Sequence, residues 1–579
     1  MKIIISSVFV LVFATLCYAQ NAETPDWAKK LIIYEISTKN FTSPKGYGTG
    51  TFASATEKVR YLAELGITGV WLAGHNLADD DHFYGIWTQY ATIRPDSIDP
   101  TLGTRTDLRK FVDECHKNGI KVFLDIITHG VMSNSPLIKE HPEWFKGGSW
   151  GMTDYDWQGK HADLDKWWVD THVKFVRDCN IDGFRLDVDI YRPDLWHDIK
   201  NRCTANGSPI TVFLEGAHAN NRACDFFQRM TTISDQRVGL DSVQSIIFNA
   251  ARFFKEPIYL VNIYFHDGSS ASGTSEGIGR LKIKTVFRPK FIQDYSNVKE
   301  NDYIDLYIEN IDSTKRITYM TITSNGTSWQ LGSPTQNWTR LRFGSSMHLY
   351  LEPVEQETAL RSVQLSSHDD GWESFPKQSN PYVAEGSRCT FGYSFLFTPA
   401  IPLFMSGEEF NAQFVPNPKL TPDLYGKEAA GQGKWLYGAI IDWNQLQNKE
   451  QKAMLDDVKK MIAIRKQESD IFCADWNNKE ANIQAIEYTA NSEIPVPFLL
   501  SNNKKIIVVA GNNTSKNVEC TLKLNLQQEG LNAQQTYTIV DLWNNKTMKV
   551  KGENLQNYTF TINKDKTAGG GIIVFKIVK

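Results

Sequence analysis

From Leu31 onward, short apolar β-rich runs alternate with amphipathic helical stretches: LIIYEIS, a helix near Thr56 to Leu65, ITGVWLAG, a helix over Thr104 to Lys117, then IKVFLDII. Strands spaced by helices in this way read as βα units feeding a parallel sheet. The series continues through a helix at Lys166 to Cys179, the run IDGFRLDV, a helix near Pro193 to Asn206, ITVFLEG and a weaker sixth strand near Thr231 to Ser234. After a long interruption SVQLSSHD and IPLFMSGEE bring the strands to eight. Eight such units predict a closed (β/α)8 TIM barrel, whose chemistry gathers at the carboxyl ends of the strands.

Asp125, Asp187, Glu215, Asp369 and Glu408 all stand at such ends. In GFRLDVD the period of two puts Phe184, Leu186 and Val188 on one face and Arg185, Asp187 and Asp189 on the other. The apolar face meets the helices, and the charged face enters the barrel mouth.

Two interruptions divide the chain. Asp125 and Asp187 are 62 residues apart, about twice the roughly 30 that a βαβ unit needs. A loop over 130–164 therefore protrudes after the third strand. Between Glu215 and Asp369 lie 154 residues, which leaves about 90 to 100 beyond the βα units required there. The insert, 253–355, is strand-rich and polar, with runs such as IYLVNIYF and ITYMTIT, and reads as a small β-sandwich. The barrel then occupies 26–252 and 356–470. After a helix at Lys449 to Gln467, the segment 471–579 alternates in period two to the C-terminus and predicts a second, antiparallel β-sandwich.

The first nineteen residues carry one Lys, an apolar run from Ile3 to Leu16 and a small residue at Ala19, the pattern of a secretory signal. Export to a periplasmic or extracellular space is the expectation, and no later segment is apolar enough to span a bilayer. A formal charge of −4 and the lack of a Lys/Arg cluster give no footprint for nucleic acid. Beyond Ala19 seven cysteines are scattered without metal-ligand spacing, so buried free thiols are expected and no zinc site or disulfide framework.

Retaining hydrolysis of a glycosidic bond needs a carboxylate nucleophile and a second carboxyl, roughly 5 Å away, that protonates the leaving oxygen and then activates water. Asp187 and Glu215, one βα unit apart, meet that need as nucleophile and acid/base. Arg185, two positions before Asp187, would favour the ionised nucleophile. Asp369, with His368 before it, would face them across the mouth and grip sugar hydroxyls.

These stretches resemble the α-amylase superfamily, glycoside hydrolase family 13. The likeness rests on FLDII with Asp125, GFRLD with Arg185 and Asp187, FLEG with Glu215 and HD with His368 and Asp369, in the family's order and spacing. It implies a retaining enzyme on α-glucosidic bonds, with Asp187 as nucleophile, Glu215 as acid/base and Asp369 as transition-state stabiliser. Arg185, His368, Asp125 and Tyr84 would contact an oligosaccharide or polysaccharide substrate, Tyr84 as a stacking ring. A transglycosylase using the same intermediate, or a catalytically weak glycan-binding barrel, are the alternatives.

The chain departs from the family pattern at His129-Gly130, where Asn-His is usual, and at Ile190-Tyr191, where many members carry Lys-His. The His that touches the sugar's primary hydroxyl and the Asn often used for calcium are thereby missing. Gly130 is expected to leave room at the subsite. No cofactor or metal ligand is assigned, calcium stays an open alternative, and neither the insert's role nor the oligomeric state is fixed by the sequence.

Overall fold

In a computed structural model, the described residues are 23–79, 88–149, 151–188, 190–216, 223–229, 243–250, 259–265, 267–289, 302–312, 315, 317–324, 327–332, 347–353, 360–364, 367–368, 387–396, 400–412, 414–416, 439–474, 482–492, 494–495 and 497–579. Eight of the apolar runs pair side by side as parallel strands: β1 (Ile33–Ser37), β2 (Gly69–Ala73), β3 (Lys121–Ile127), β4 (Gly183–Asp187), β5 (Thr211–Gly216), β6 (Phe226–Arg229), β7 (Leu360–Gln364) and β8 (Ala400–Met405). Each pairs with the next in sequence, and β8 returns to β1 with Leu403 opposite Ile33, so the sheet closes into a barrel. Inside it, Ile33, Trp71, Phe123, Phe213, Leu360 and Leu403 form a continuous buried cluster. The barrel is a packed core with its chemistry confined to the rim.

The outward faces of the strands carry the second half of the pattern. Phe184 and Leu186 of β4 lie in the large apolar cluster shared with the surrounding helices α1 (Arg105–Lys117), α2 (Ala162–Cys179) and α3 (Pro193–Ala205). Helix α1 starts where the sequence marks it: Thr104 accepts from the Asp107 backbone while Asp107 reaches back to Thr104, a reciprocal cap. The helix α4 runs over Lys449–Gln467, capped by Asn448.

Two expectations need correction. The sixth strand is Phe226–Arg229, upstream of Thr231 to Ser234, which lie outside the described residues. Four residues flanked by Cys224 and Asp225 give too short an apolar run for periodicity to locate. The insert also begins before 253: Val243–Ala250 pairs antiparallel with Asp302–Glu309 and with Met347–Pro353. The β-rich insert forms two four-stranded sheets.

Within 130–164, Gly130–Met132 and Met152–Asp154 form an antiparallel pair, so the protruding loop has a strand ladder of its own. The C-terminal segment carries sheets of six and three antiparallel strands. Residues of both, among them Val508, Ile539, Cys520 and Ile562, share one buried cluster. All seven described cysteines are free and buried, as expected. No helix among the described residues is long and apolar enough to cross a membrane.

Candidate active site

Strands β4 and β5 run in register with Leu186 opposite Leu214, so the next residues, Asp187 and Glu215, emerge side by side at the barrel rim. The Arg185 guanidinium sits beneath both. Its Nη1 donates to Asp187 Oδ1 at 2.5 Å, and its Nη2 lies 3.2 Å from Glu215 Oε2. Glu215 Oε2 also accepts from the Val188 backbone N–H at 3.0 Å. Val188 holds that N–H in place at φ 60°, a left-handed backbone rarely taken by a β-branched residue and costing of order 1–3 kcal/mol. Strain stored directly after one carboxylate is thus used to tether the second.

Burial pushes the Asp187 carboxyl up to about 8; Arg185 opposes this, while the nearby Glu215 and Asp125 charges add to it. The side chain nevertheless keeps 13% of its surface open, and the short Arg185 contact works against burial in favour of the ionised form. The direction is upward from an ordinary aspartate, with one cation acting against burial.

Asp125 and Arg185 lie deeper than the sequence implies. Asp125 is 1% exposed; its Oδ1 accepts from Arg185 at 3.1 Å, and its Oδ2 accepts from the Trp71 indole at 2.9 Å and the Tyr90 hydroxyl at 2.7 Å. Arg185 is fully buried, with its guanidinium also 4.9 Å over the Trp71 ring. Both stand beneath Asp187 and Glu215 and set their position. A charge buried that far is stable only when paired and hydrogen-bonded, which the network provides.

His368 is placed in the same network. Its ring stacks on Tyr90 at 4.9 Å between centroids and meets the Trp71 edge at 5.6 Å. Its Nδ1 is 2.6 Å from Glu35 Oε1, and its backbone N–H donates to Glu35 Oε2 at 3.2 Å. Asp369 and Tyr84 lie outside the described residues. Glu35, Trp71 and Tyr90 were not singled out by the sequence. An acid inside the apolar run LIIYEIS was the available signal, because an unpaired charge is almost never buried.

The departures from the family pattern also acquire physical content. A Cβ on Gly130 would meet the Thr153 carbonyl oxygen at 2.3 Å, so the position is filled by the protruding loop and leaves no room, contrary to expectation. His129 turns its Nδ1 to Asp154 at 3.2 Å. Ile190 packs into the core, while Tyr191 is exposed at φ 48°. Among the described residues, His141, Glu143 and Asp163 could gather around a cation.

Residues 35–147 match the family model of the α-amylase catalytic domain. That segment of the chain is similar to the α-amylase catalytic domain. Among relatives, a maltogenic α-amylase of Bacillus acidopullulyticus is 29% identical over 209 residues, covering 29% of this chain and 35% of that protein. An intracellular maltogenic amylase of Bacillus subtilis is 27% identical over 210 residues, covering 29% and 35%. The match thus spans about a third of the length of these curated relatives. The crystal structure of a noncanonic maltogenic α-amylase from Thermotoga neapolitana shares the fold at a TM-score of 0.54 and 15% identity, covering 95% of this chain and 99% of that one.

Proposed function

We propose that this chain is an exported glycoside hydrolase of the α-amylase superfamily that cleaves α-glucosidic bonds of α-glucans or maltooligosaccharides with retention. One observation carries the reading: Asp187 and Glu215 stand on adjacent strand ends and share the Arg185 guanidinium. In the first step Asp187 attacks the anomeric carbon while Glu215 gives its proton to the leaving oxygen. In the second, Glu215 takes a proton from water, which attacks the same carbon and releases Asp187. Asp369, which follows His368 in the chain, is assigned the stabilisation of the oxocarbenium-like transition state.

The names of the matched relatives, maltogenic amylases, support an α-glucan as substrate class. Export rests on residues 1–19 alone. The domain division follows the two β-rich regions: an insert between β6 and β7, and a C-terminal sandwich over 471–579. Incubating the purified chain with starch, maltooligosaccharides and pullulan, beside Asp187→Asn, tests the reading. Turnover by the wild type and its loss in the variant are expected; binding without turnover would leave a glycan-binding barrel, and products longer than the substrate would indicate transglycosylation.

A further inference from the structure

Glu35 has no place in the reaction as described, yet it is a fully buried carboxylate at the barrel's core. It lies on β1, opposite Trp71 in the β1–β2 register, and commits both oxygens to one residue. Oε1 is 2.6 Å from the His368 ring nitrogen Nδ1, and Oε2 accepts the His368 backbone N–H at 3.2 Å. The ring is stacked on Tyr90 and meets Trp71 edge-on. These two aromatics in turn donate to Asp125, which pairs with Arg185 beneath the nucleophile.

We propose that Glu35 is a positioning residue for the reaction: its carboxylate accepts the Nδ1–H of His368, fixes that tautomer, and so assigns Nε2 as the ring atom that meets a sugar hydroxyl. A neutral imidazole has one donor and one acceptor nitrogen, and the partner of one decides the role of the other. Without an acceptor at Nδ1 the proton distributes between the two nitrogens, and the ring loses the bond that sets its angle. The titratable and charged groups that face Glu35 are His368, Arg185 and Asp125. Burial, with the Asp125 charge, pushes its carboxyl upward, while His368 and Arg185 act the other way and favour the carboxylate. The backbone N–H at Oε2 also favours the carboxylate, since it needs an acceptor there.

This inference rests on the reading that His368 meets substrate, and its test is built to separate the two. Glu35→Gln keeps an acceptor for Nδ1 but sets an amide NH2 against one of its two donors. Glu35→Leu removes both acceptors at similar volume. Steady-state kinetics on a maltooligosaccharide should show kcat/KM lowered by about 100-fold in Glu35→Leu, with most of the loss in kcat, and less than about 10-fold in Glu35→Gln. Nitrogen-15 NMR of the histidine side chains, with His368 assigned by its loss in His368→Asn, should show a protonated Nδ1 in the wild type and Glu35→Gln, and a mixed tautomer in Glu35→Leu.

If Glu35→Leu does not fold, Glu35→Met, which also lacks both acceptor oxygens at similar volume, takes its place with the same expectations. An unchanged His368 tautomer in the leucine or methionine variant overturns the proposal, as does turnover equal to wild type. If the wild type cleaves none of the α-glucans, the functional reading fails, and the tautomer measurement still decides the role of Glu35.

Discussion

Arg185 Nη1 lies 2.5 Å from Asp187 Oδ1, and the two residues are separated by one position on the same strand. That spacing puts both side chains on one face of β4, so the strand itself delivers the cation to the acid. Because three carboxylates, Asp125, Asp187 and Glu215, converge on this guanidinium, its planar fork cannot be replaced by a point charge.

Arg185→Lys should therefore lower kcat/KM by roughly 100-fold and move its acid limb to higher pH. The sign follows from the opposed influences on Asp187: burial raises its carboxyl and Arg185 lowers it. Weakening Arg185 leaves burial less opposed, so the ionised nucleophile forms only at higher pH. A pH profile of kcat/KM for both proteins measures this.

Gly130→Ala should destabilise the protein by about 1–3 kcal/mol and add no sugar affinity, because the new Cβ would meet the Thr153 carbonyl. Thermal unfolding and maltooligosaccharide binding check the two halves of that expectation.

Tyr90→Phe removes the donor at Asp125 Oδ2 while the Trp71 indole remains. A loss of about 1 kcal/mol in stability is expected, with a fall in kcat through the shifted floor beneath Asp187. Denaturant unfolding and kinetics on the same preparation test it.

Acid sensitivity should also arise from two buried histidines. Buried His75 is held down to about 3, chiefly by burial, and His172 to about 4 for the same reason. Unfolded histidines titrate near ~6.5, so the unfolded chain takes up more protons between these values. Both histidines contribute stability that is fully present above about 6.5 and lost as pH falls toward 4 and 3. Replacing His75 by Gln should flatten the fall in melting temperature between pH 7 and 4.

Much of the barrel was legible because buried parallel strands read as apolar runs, and an acid after such a run breaks the pattern visibly. Asp187, Glu215 and Arg185 were found that way, and α1 through its amphipathic pattern between two strand runs. Trp71 and Tyr90 were missed because an aromatic in or after a strand reads as core filling; only the structure reveals their donors turned to Asp125. Glu35 was missed because its partner, His368, lies 333 residues away in sequence. The space at Gly130 was misjudged for a similar reason, since Thr153 closes it from across the protruding loop.

The central claim is that Asp187 and Glu215 act as a retaining pair. The most direct measurement is proton NMR of the first sugar released from a maltooligosaccharide, recorded before mutarotation. The newly formed reducing end should be the α-anomer. Initial release of the β-anomer would contradict it.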